Sequence, residues 1–205
     1  MTKTIKFWFE FASTYSYLAA MRVDKEAAKR NVEVEWMPFP LGPIFGAQGW
    51  TTSPFNIFPA KGANMWRDME RKAAQFGLAF KVPDADFLSR FPQNGIAAAR
   101  LTLVGLSEGW GRDFARSVYA SQFGEHADIA DPAVLSRLVS EAGGDPIHAY
   151  EASQSAEIKA RYRANSEAAN AAGIYGAPSF TVGDELFWGH DRLDDAIEWA
   201  VSGKL

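Results

Sequence analysis

Hydrophobic residues recur at every second position from Ile5 to Phe11. This period of two predicts a strand. The Ala-, Glu- and Lys-rich run from Ser16 to Arg30 predicts a helix, and a second alternation from Val32 to Met37 predicts another strand. The spacing of the three elements favours a β-α-β unit with a parallel pair of strands.

The stretch that follows, residues 38–62, changes character because it contains five prolines and four glycines. We interpret it as a long loop, and long loops in compact domains often form lids or binding segments. Helical patterns then continue to about residue 172. The first of these helices is expected to end at Gly77, and Asp131 and Asp145, each followed by proline, are expected to cap two later helices.

Strand-like patterns return near the C-terminal end. The runs Ser179–Val182 and Glu185–Trp188 are joined by Gly183-Asp184, which predicts a hairpin. The periodicity of Leu193–Val201 predicts a last helix. The order is therefore β-α-β, a helical block, then α-β-β-α.

This order predicts an α/β, thioredoxin-like fold with an all-helical insertion. We expect a discontinuous thioredoxin-like domain at residues 1–40 and 173–205. A helical insertion domain is expected at residues 63–172, with 41–62 as an active-site loop.

Composition narrows the classes of function. The 205 residues carry a formal net charge of −4, and the basic footprint of a nucleic-acid-binding protein is missing. No apolar run reaches the ~18–20 residues of a membrane span, and the run Phe7–Phe9 is too short for a signal peptide. We therefore expect a cytoplasmic protein without membrane or nucleic-acid partners.

The chain contains no cysteine, which excludes disulfides, thiolate metal sites and a cysteine nucleophile. The histidines at 126, 148 and 190 show no metal-ligand spacing, so no metal site is expected. A hydrolytic triad of Ser13, His190 and Asp191 would need a G-x-S-x-G elbow, which is absent. Any sulfur chemistry must therefore use a thiol from outside the chain.

The sequence FASTYSYL places Ser13 and Ser16 at the first strand-to-helix junction, with the spacing of a redox Cys-x-x-Cys pair. The hydroxyl of Ser13 and the backbone N–H groups of the helix start can stabilise an anion there. If that anion is a thiolate, its pKa falls below the free value of about 8.5. The alternative is that Ser13 simply caps the helix.

Two later segments offer further candidates. In GIYGAPSF, Pro178 either begins a strand in the ordinary way or follows a cis peptide bond that exposes the backbone of Ala177 to a ligand. In FWGHDRL, Asp191 either caps the last helix or binds an ammonium group, with Trp188 as an apolar wall.

Together, FWFEFASTYSYL, PAKGANMWRDMER, GIYGAPSF and FWGHDRL resemble the glutathione-dependent branch of the DsbA-like thioredoxin superfamily. That branch comprises 2-hydroxychromene-2-carboxylate isomerases and kappa-class glutathione transferases. The resemblance spans nearly the whole chain. It implies an enzyme in which Ser13 is the catalytic residue and glutathione supplies the missing thiol.

The resemblance also implies contacts with glutathione. Ala177, before a cis Pro178, is expected to offer its backbone to the cysteinyl part, and Lys61 is expected to meet a carboxylate. Asp191 is expected to bind the γ-glutamyl ammonium with help from Trp188 and His190.

Substrate contacts are expected on the other side of the thiol. An aromatic substrate is expected against the apolar segment around residues 38–58, with Tyr15 and Asn56 as binding residues. Two positions depart from the family pattern, namely Thr14, where proline is usual, and Thr52, where the transferases tend to have asparagine.

The string Trp-Gly-x-Asp-Arg-Leu is closer to the isomerases. We therefore expect cis–trans isomerisation in aromatic-compound degradation, by reversible thiolate addition to a conjugated enone. A kappa-class-like glutathione transferase is the first alternative, and a non-catalytic thioredoxin-like binding protein is the second. The family resemblance also predicts a homodimer.

Overall fold

The computed structural model describes residues 3–204. Four strands lie in this part of the chain: β1 (Lys3–Phe9), β2 (Val32–Pro38), β3 (Ser179–Val182) and β4 (Glu185–Trp188). The helices are α1 (Thr14–Ala20), α2 (Val23–Ala28), α3 (Gly42–Ala47), α4 (Pro54–Ile57), α5 (Pro59–Phe76), α6 (Ala85–Ser89), α7 (Ile96–Glu108), α8 (Gly111–Ala120), α9 (Pro132–Glu141), α10 (Pro146–Ser153), α11 (Ala156–Ala171) and α12 (Leu193–Ser202). A π-helical segment spans Ser121–Glu125, and a 3₁₀ turn spans His190–Arg192.

The strands form one sheet in the order β2-β1-β3-β4. β1 and β2 are parallel, and the other two pairs are antiparallel. Phe7 pairs with Trp36 on one side and with Phe180 on the other, and all three side chains are buried. The predicted parallel pair and the predicted C-terminal hairpin are therefore confirmed.

The first predicted helix is wrong in its extent. α1 and α2 are separate helices, because a turn at Met21 and Arg22 interrupts the helix. The guanidinium of Arg22 lies 4.3 Å from the ring centroid of Phe76, a contact between distant segments that local composition does not show. β1 also ends at Phe9, and Phe11 lies in the turn that follows.

The prediction of a long loop at residues 38–62 is also wrong, because this stretch contains α3, α4 and the start of α5. Pro43, Pro54 and Pro59 lie in the first turn of these three helices. The missing N–H of proline costs nothing at that position, and its fixed φ suits the helix. The prolines that suggested a loop therefore start helices.

The predicted helix ends are confirmed. Gly77 ends α5 in the left-handed conformation with φ of 66°, as a helix-terminating glycine does. The carboxylate of Asp131 accepts from Ala133 N at 2.8 Å, and that of Asp145 accepts from Ile147 N at 2.9 Å. The helices α3 to α11 fall between β2 and β3, as the element order predicts, while the division into two domains stays a prediction.

Candidate active site

Ser13 lies where β1 passes into α1. Residues 10–13 form a turn in which Ser13 N donates to Glu10 O at 3.0 Å. The Ser13 hydroxyl accepts from Ser16 N at 3.2 Å and donates to Ala177 O at 2.9 Å. Ser13 is thus the helix cap, and the same hydroxyl also faces the segment before β3. Capping and ligand binding are compatible, because a hydroxyl accepts and donates at once.

The peptide bond between Ala177 and Pro178 is cis, as predicted. Pro178 O accepts from Gly189 N at 2.9 Å, which joins this segment to the end of β4. A Cβ at Gly176 would clash with Nε1 of Trp188. The indole therefore packs directly against the backbone that precedes the cis bond, although the Trp188 residue is 51% exposed.

Tyr15 follows Ser13 by two residues and is fixed by two contacts. Its hydroxyl donates to Asp68 Oδ2 at 3.1 Å, and its ring stacks on that of His190 with centroids 5.4 Å apart. Burial, and then the Asp68 carboxylate, raises the pKa of the Tyr15 hydroxyl. Tyr15 therefore stays neutral and holds its proton towards Asp68.

The sequence did not single out Asp68. Its one local signal is the spacing from Lys61, because residues seven apart share a helix face. In the structure Asp68 accepts from Tyr15 and pairs with Arg71 at 3.1 Å. It therefore places a carboxylate on the wall that Tyr15 and His190 form.

His190 and Asp191 stand side by side in the 3₁₀ turn but differ in exposure. His190 is buried, its Nδ1 has no hydrogen-bond partner within residues 3–204, and burial lowers its pKa. Asp191 is exposed. The residue that caps α12 is Arg192, and no side chain makes the capping hydrogen bond. The alternative in which Asp191 caps the last helix is therefore wrong.

Lys61 lies in the first turn of α5 and is exposed. Its Nζ is 4.6 Å from the ring centroid of Phe58, and no carboxylate among residues 3–204 pairs with it. The structure does not join Lys61 to Ser13 by any contact. The ammonium group is thus available to a ligand that reaches across the surface.

Asn56 lies in α4, and its amide Nδ2 donates to Phe91 O at 3.0 Å and to Thr52 Oγ1 at 3.3 Å. Asn56 thereby ties α4 to the segment before α7. The centroid of the neighbouring Phe55 ring lies 6.4 Å from that of the Tyr15 ring, so α4 lies beside the start of α1.

Glu10 is a second residue that the sequence did not single out. Its carboxylate Oε1 would lie 3.1 Å from a Cβ at Gly95. Glycine at 95 therefore leaves space for this carboxyl. Burial raises the pKa of Glu10 from its ordinary value of 4.5 to about 7. The alternating pattern of β1 gives no sign of this environment, since glutamate at a strand end is ordinarily exposed.

Glu10→Gln is expected to stabilise the protein at pH 8 by about 2–3 kcal/mol and to have little effect near pH 4.5. When the pKa of a carboxyl is higher in the folded than in the unfolded state, the protein loses stability as the pH rises from the unfolded-state pKa to the folded-state pKa. For Glu10 this range runs from 4.5 to about 7. Urea unfolding of both proteins at several pH values measures this. A gap that stays constant with pH would contradict the raised pKa.

No group of three or more histidine or acidic side chains within residues 3–204 has the arrangement of a metal site. No helix in the same part of the chain is long and apolar enough to cross a membrane.

A serine at the first strand-to-helix junction, facing a cis-proline, defines a thioredoxin-like site without cysteine. The family profile described as a DSBA-like thioredoxin domain matches residues 4–198. The chain therefore belongs to the DSBA-like thioredoxin family.

Individual relatives agree with this membership. A 2-hydroxychromene-2-carboxylate isomerase of Sphingobium xenophagum is 30% identical over 195 residues, covering 95% of this chain and 96% of that protein. A glutathione S-transferase kappa 2 of Caenorhabditis elegans is 25% identical, covering 96% of this chain and 91% of that protein. A solved 2-hydroxychromene-2-carboxylate isomerase superposes with a TM-score of 0.80 at 22% identity, over 93% of this chain and 90% of that chain. The predicted fold, the resemblance and the expectation of an isomerase-type enzyme are confirmed.

Proposed function

We propose that the protein is a glutathione-dependent cis–trans isomerase of the 2-hydroxychromene-2-carboxylate type, acting in aromatic-compound degradation. The observation that carries the proposal is the Ser13 hydroxyl, held between Ser16 N and Ala177 O in a chain without cysteine. The relative with 30% identity bears the name of this isomerase, and the kappa relative bears the name of a glutathione transferase.

The residues at the site fit glutathione. Ser13 can turn its hydroxyl hydrogen from Ala177 O to a thiolate without losing the hydrogen bond from Ser16 N. This hydroxyl is the main stabilising group, because α1 has only seven residues and therefore a small dipole. A charge-assisted hydrogen bond of this kind contributes roughly 1.5–3 kcal/mol.

Charged groups on two sides of the site fit the ends of the tripeptide. Asp191 and Asp68 both act on the Tyr15 and His190 pair, as do the cations Arg22, Arg71 and Lys72. Asp68 is paired with Arg71, so the exposed carboxylate of Asp191 is the group that suits the γ-glutamyl ammonium. The exposed ammonium of Lys61 suits a carboxylate, and the half-exposed indole of Trp188 packs on the backbone before the cis bond.

When bound, glutathione supplies a thiolate that adds reversibly to a conjugated enone, so that the former double bond can rotate before the thiolate leaves. Ser13 holds the negative charge on sulfur before addition and again after departure. Tyr15 and Phe55 form an aromatic wall on which a planar substrate can lie. Asn56 keeps that wall in place through Phe91 O.

The proposal is tested by mixing the purified protein with reduced glutathione and 2-hydroxychromene-2-carboxylate while following the ultraviolet spectrum. We expect isomerisation that needs glutathione and leaves its concentration unchanged. Titration calorimetry is expected to show binding of reduced glutathione in the micromolar to low-millimolar range. A protein that neither binds glutathione nor isomerises the substrate would contradict the proposal.

The kappa relative supports a second candidate, a glutathione transferase that uses the same site. A transferase consumes glutathione in proportion to product, whereas the isomerase does not. Thiol quantification in the same assay therefore separates the two. The homodimer and the cytoplasmic setting stay predictions, and sedimentation of the purified protein tests the first.

A further inference from the structure

Glu10 stands near Ser13 without an assigned role. Glu10 is half-buried. No lysine, arginine or histidine within residues 3–204 lies at ion-pair distance from its carboxyl. The backbone carbonyl of Glu10 accepts from both Ser13 N and Tyr119 OH at 3.0 Å. The position of its backbone is thus fixed relative to the junction, while the carboxyl accepts a hydrogen bond from the backbone of Ala12 and has no cationic partner within residues 3–204.

The carboxyl lies beside the segment that holds the proposed substrate wall in place. Three contacts connect these segments in turn: Tyr15 with Phe55, Asn56 with Phe91, and Gly95 with Glu10. The last two contacts meet in the short segment before α7, which runs from Phe91 to Gly95. Glu10 therefore closes the ring of contacts that starts at Tyr15.

The separation of Glu10 from Ser13 suits addition to an enone. In such an addition the nucleophile bonds to one end of the C=C–C=O unit, and negative charge develops on the oxygen at the other end. The group that stabilises the thiolate and the group that serves the oxygen must therefore be different and several ångströms apart. The hydrogen-bonded turn from residue 10 to residue 13 holds the two Cα atoms within about 7 Å of each other.

We propose that the Glu10 carboxyl is the proton donor of the isomerisation, acting on the carbonyl oxygen of the substrate; this rests on the proposed function. As the thiolate bonds to carbon, the alkene electron pair moves towards the carbonyl oxygen. The O–H bond of Glu10 then breaks, and an O–H bond forms at that oxygen. When the thiolate leaves, the proton returns to the Glu10 carboxylate, and nothing is oxidised or reduced.

The charge environment of Glu10 agrees with this role. A carboxyl that titrates at about 7 is protonated in a large fraction of molecules at neutral pH, as a general acid should be. The titratable groups that face it are Tyr119 from α8 and Tyr162 from α11, both with a raised pKa, and Arg100 from α7 acts on Tyr162 as well. Both tyrosines stay neutral at pH 7, so neither competes for the proton.

The test compares wild type, Glu10→Gln and the control Glu33→Gln, which alters an exposed carboxylate on β2. Glutamine keeps the shape of glutamate and cannot donate an acid proton. In Glu10→Gln we expect turnover to fall roughly 10- to 100-fold at pH 7, the lower part of the range for general acids. The glutathione Kd from calorimetry is expected to change less than about twofold, because glutathione binding does not use the Glu10 carboxyl.

The pH profile supplies a readout that a structural role would not change. Wild-type kcat is expected to fall above about pH 7 as Glu10 loses its proton, and this limb is expected to disappear in Glu10→Gln. Glu10→Asp restores the acid on a shorter arm and is expected to restore the limb. Because its arm is shorter, its kcat is expected to stay below that of wild type. If Glu10→Gln does not fold, Glu10→Asp becomes the test variant, and a kcat equal to that of wild type would then overturn the proposal.

The outcomes separate this proposal from the function on which it rests. Turnover of Glu10→Gln within threefold of wild type, with the same pH limb, would overturn the role of Glu10 and leave the isomerase intact. A wild-type protein that binds no glutathione and isomerises nothing would overturn both. Carbon NMR titration of glutamate-labelled protein gives a check that does not depend on turnover. The proposal requires one carboxyl signal that titrates near pH 7 in wild type and is missing from Glu10→Gln.

Discussion

Replacing Ser13 with alanine is expected to lower turnover by about 10²–10³-fold while the protein remains folded. The expected size is that of losing one preorganised donor to a developing anion. Within residues 3–204 no other side chain donates to Ala177 O. Steady-state isomerisation rates at saturating glutathione measure the loss.

The control for Ser13→Ala is Ser155→Ala. Ser155 caps α11 by accepting from Ile158 N at 3.2 Å, the same distance as from Ser13 Oγ to Ser16 N. Both variants are expected to lose about 0.5–2 kcal/mol of stability, because both lose a helix cap. Only Ser13→Ala is expected to lose turnover. Equal activity in the two variants would mean that Ser13 is only a cap and would contradict its catalytic role.

Much of the fold could be predicted because its elements carry local signals. The alternation in β1 and β2 and the Gly183-Asp184 turn identify the sheet, and Gly77 and Asp131 identify helix ends. Proline was the ambiguous signal. Pro54 and Pro59 are equally suited to a loop and to a first helical turn, and only the packing of α4 against α5 decides between them.

The candidate site was predictable only where its residues belong to motifs. Ser13, Pro178 and Asp191 each stand at a junction between two elements, where a pattern can mark them. Asp68 and Glu10 do not, because a lone carboxylate on a helix or at a strand end is ordinarily solvated. Their environments come from partners far away in the chain, 53 residues for Tyr15 with Asp68.

The replacement Asp191→Asn is expected to weaken glutathione binding by about 10- to 100-fold, because hydrogen bonds to charged groups contribute roughly 1.5–3 kcal/mol. Asparagine keeps the size of the side chain and removes its charge. The carboxylate is free to bind a ligand, since Arg192 pairs with Asp195 at 2.9 Å instead. Titration calorimetry with reduced glutathione measures the change, and Asp194→Asn on the exposed side of α12 is the control.

A change in the ligand shows whether Asp191 binds the ammonium group itself. N-acetylglutathione lacks that charge, so it is expected to bind the wild-type protein weakly. Its affinity for Asp191→Asn is expected to be the same as its affinity for wild type. The two losses should therefore not add, as for groups in direct contact. Additive losses would place the ammonium elsewhere, with Asp68 as the remaining carboxylate on the same wall. Because Asp68 already accepts from Tyr15 and pairs with Arg71, we expect Asp191 to carry most of the binding.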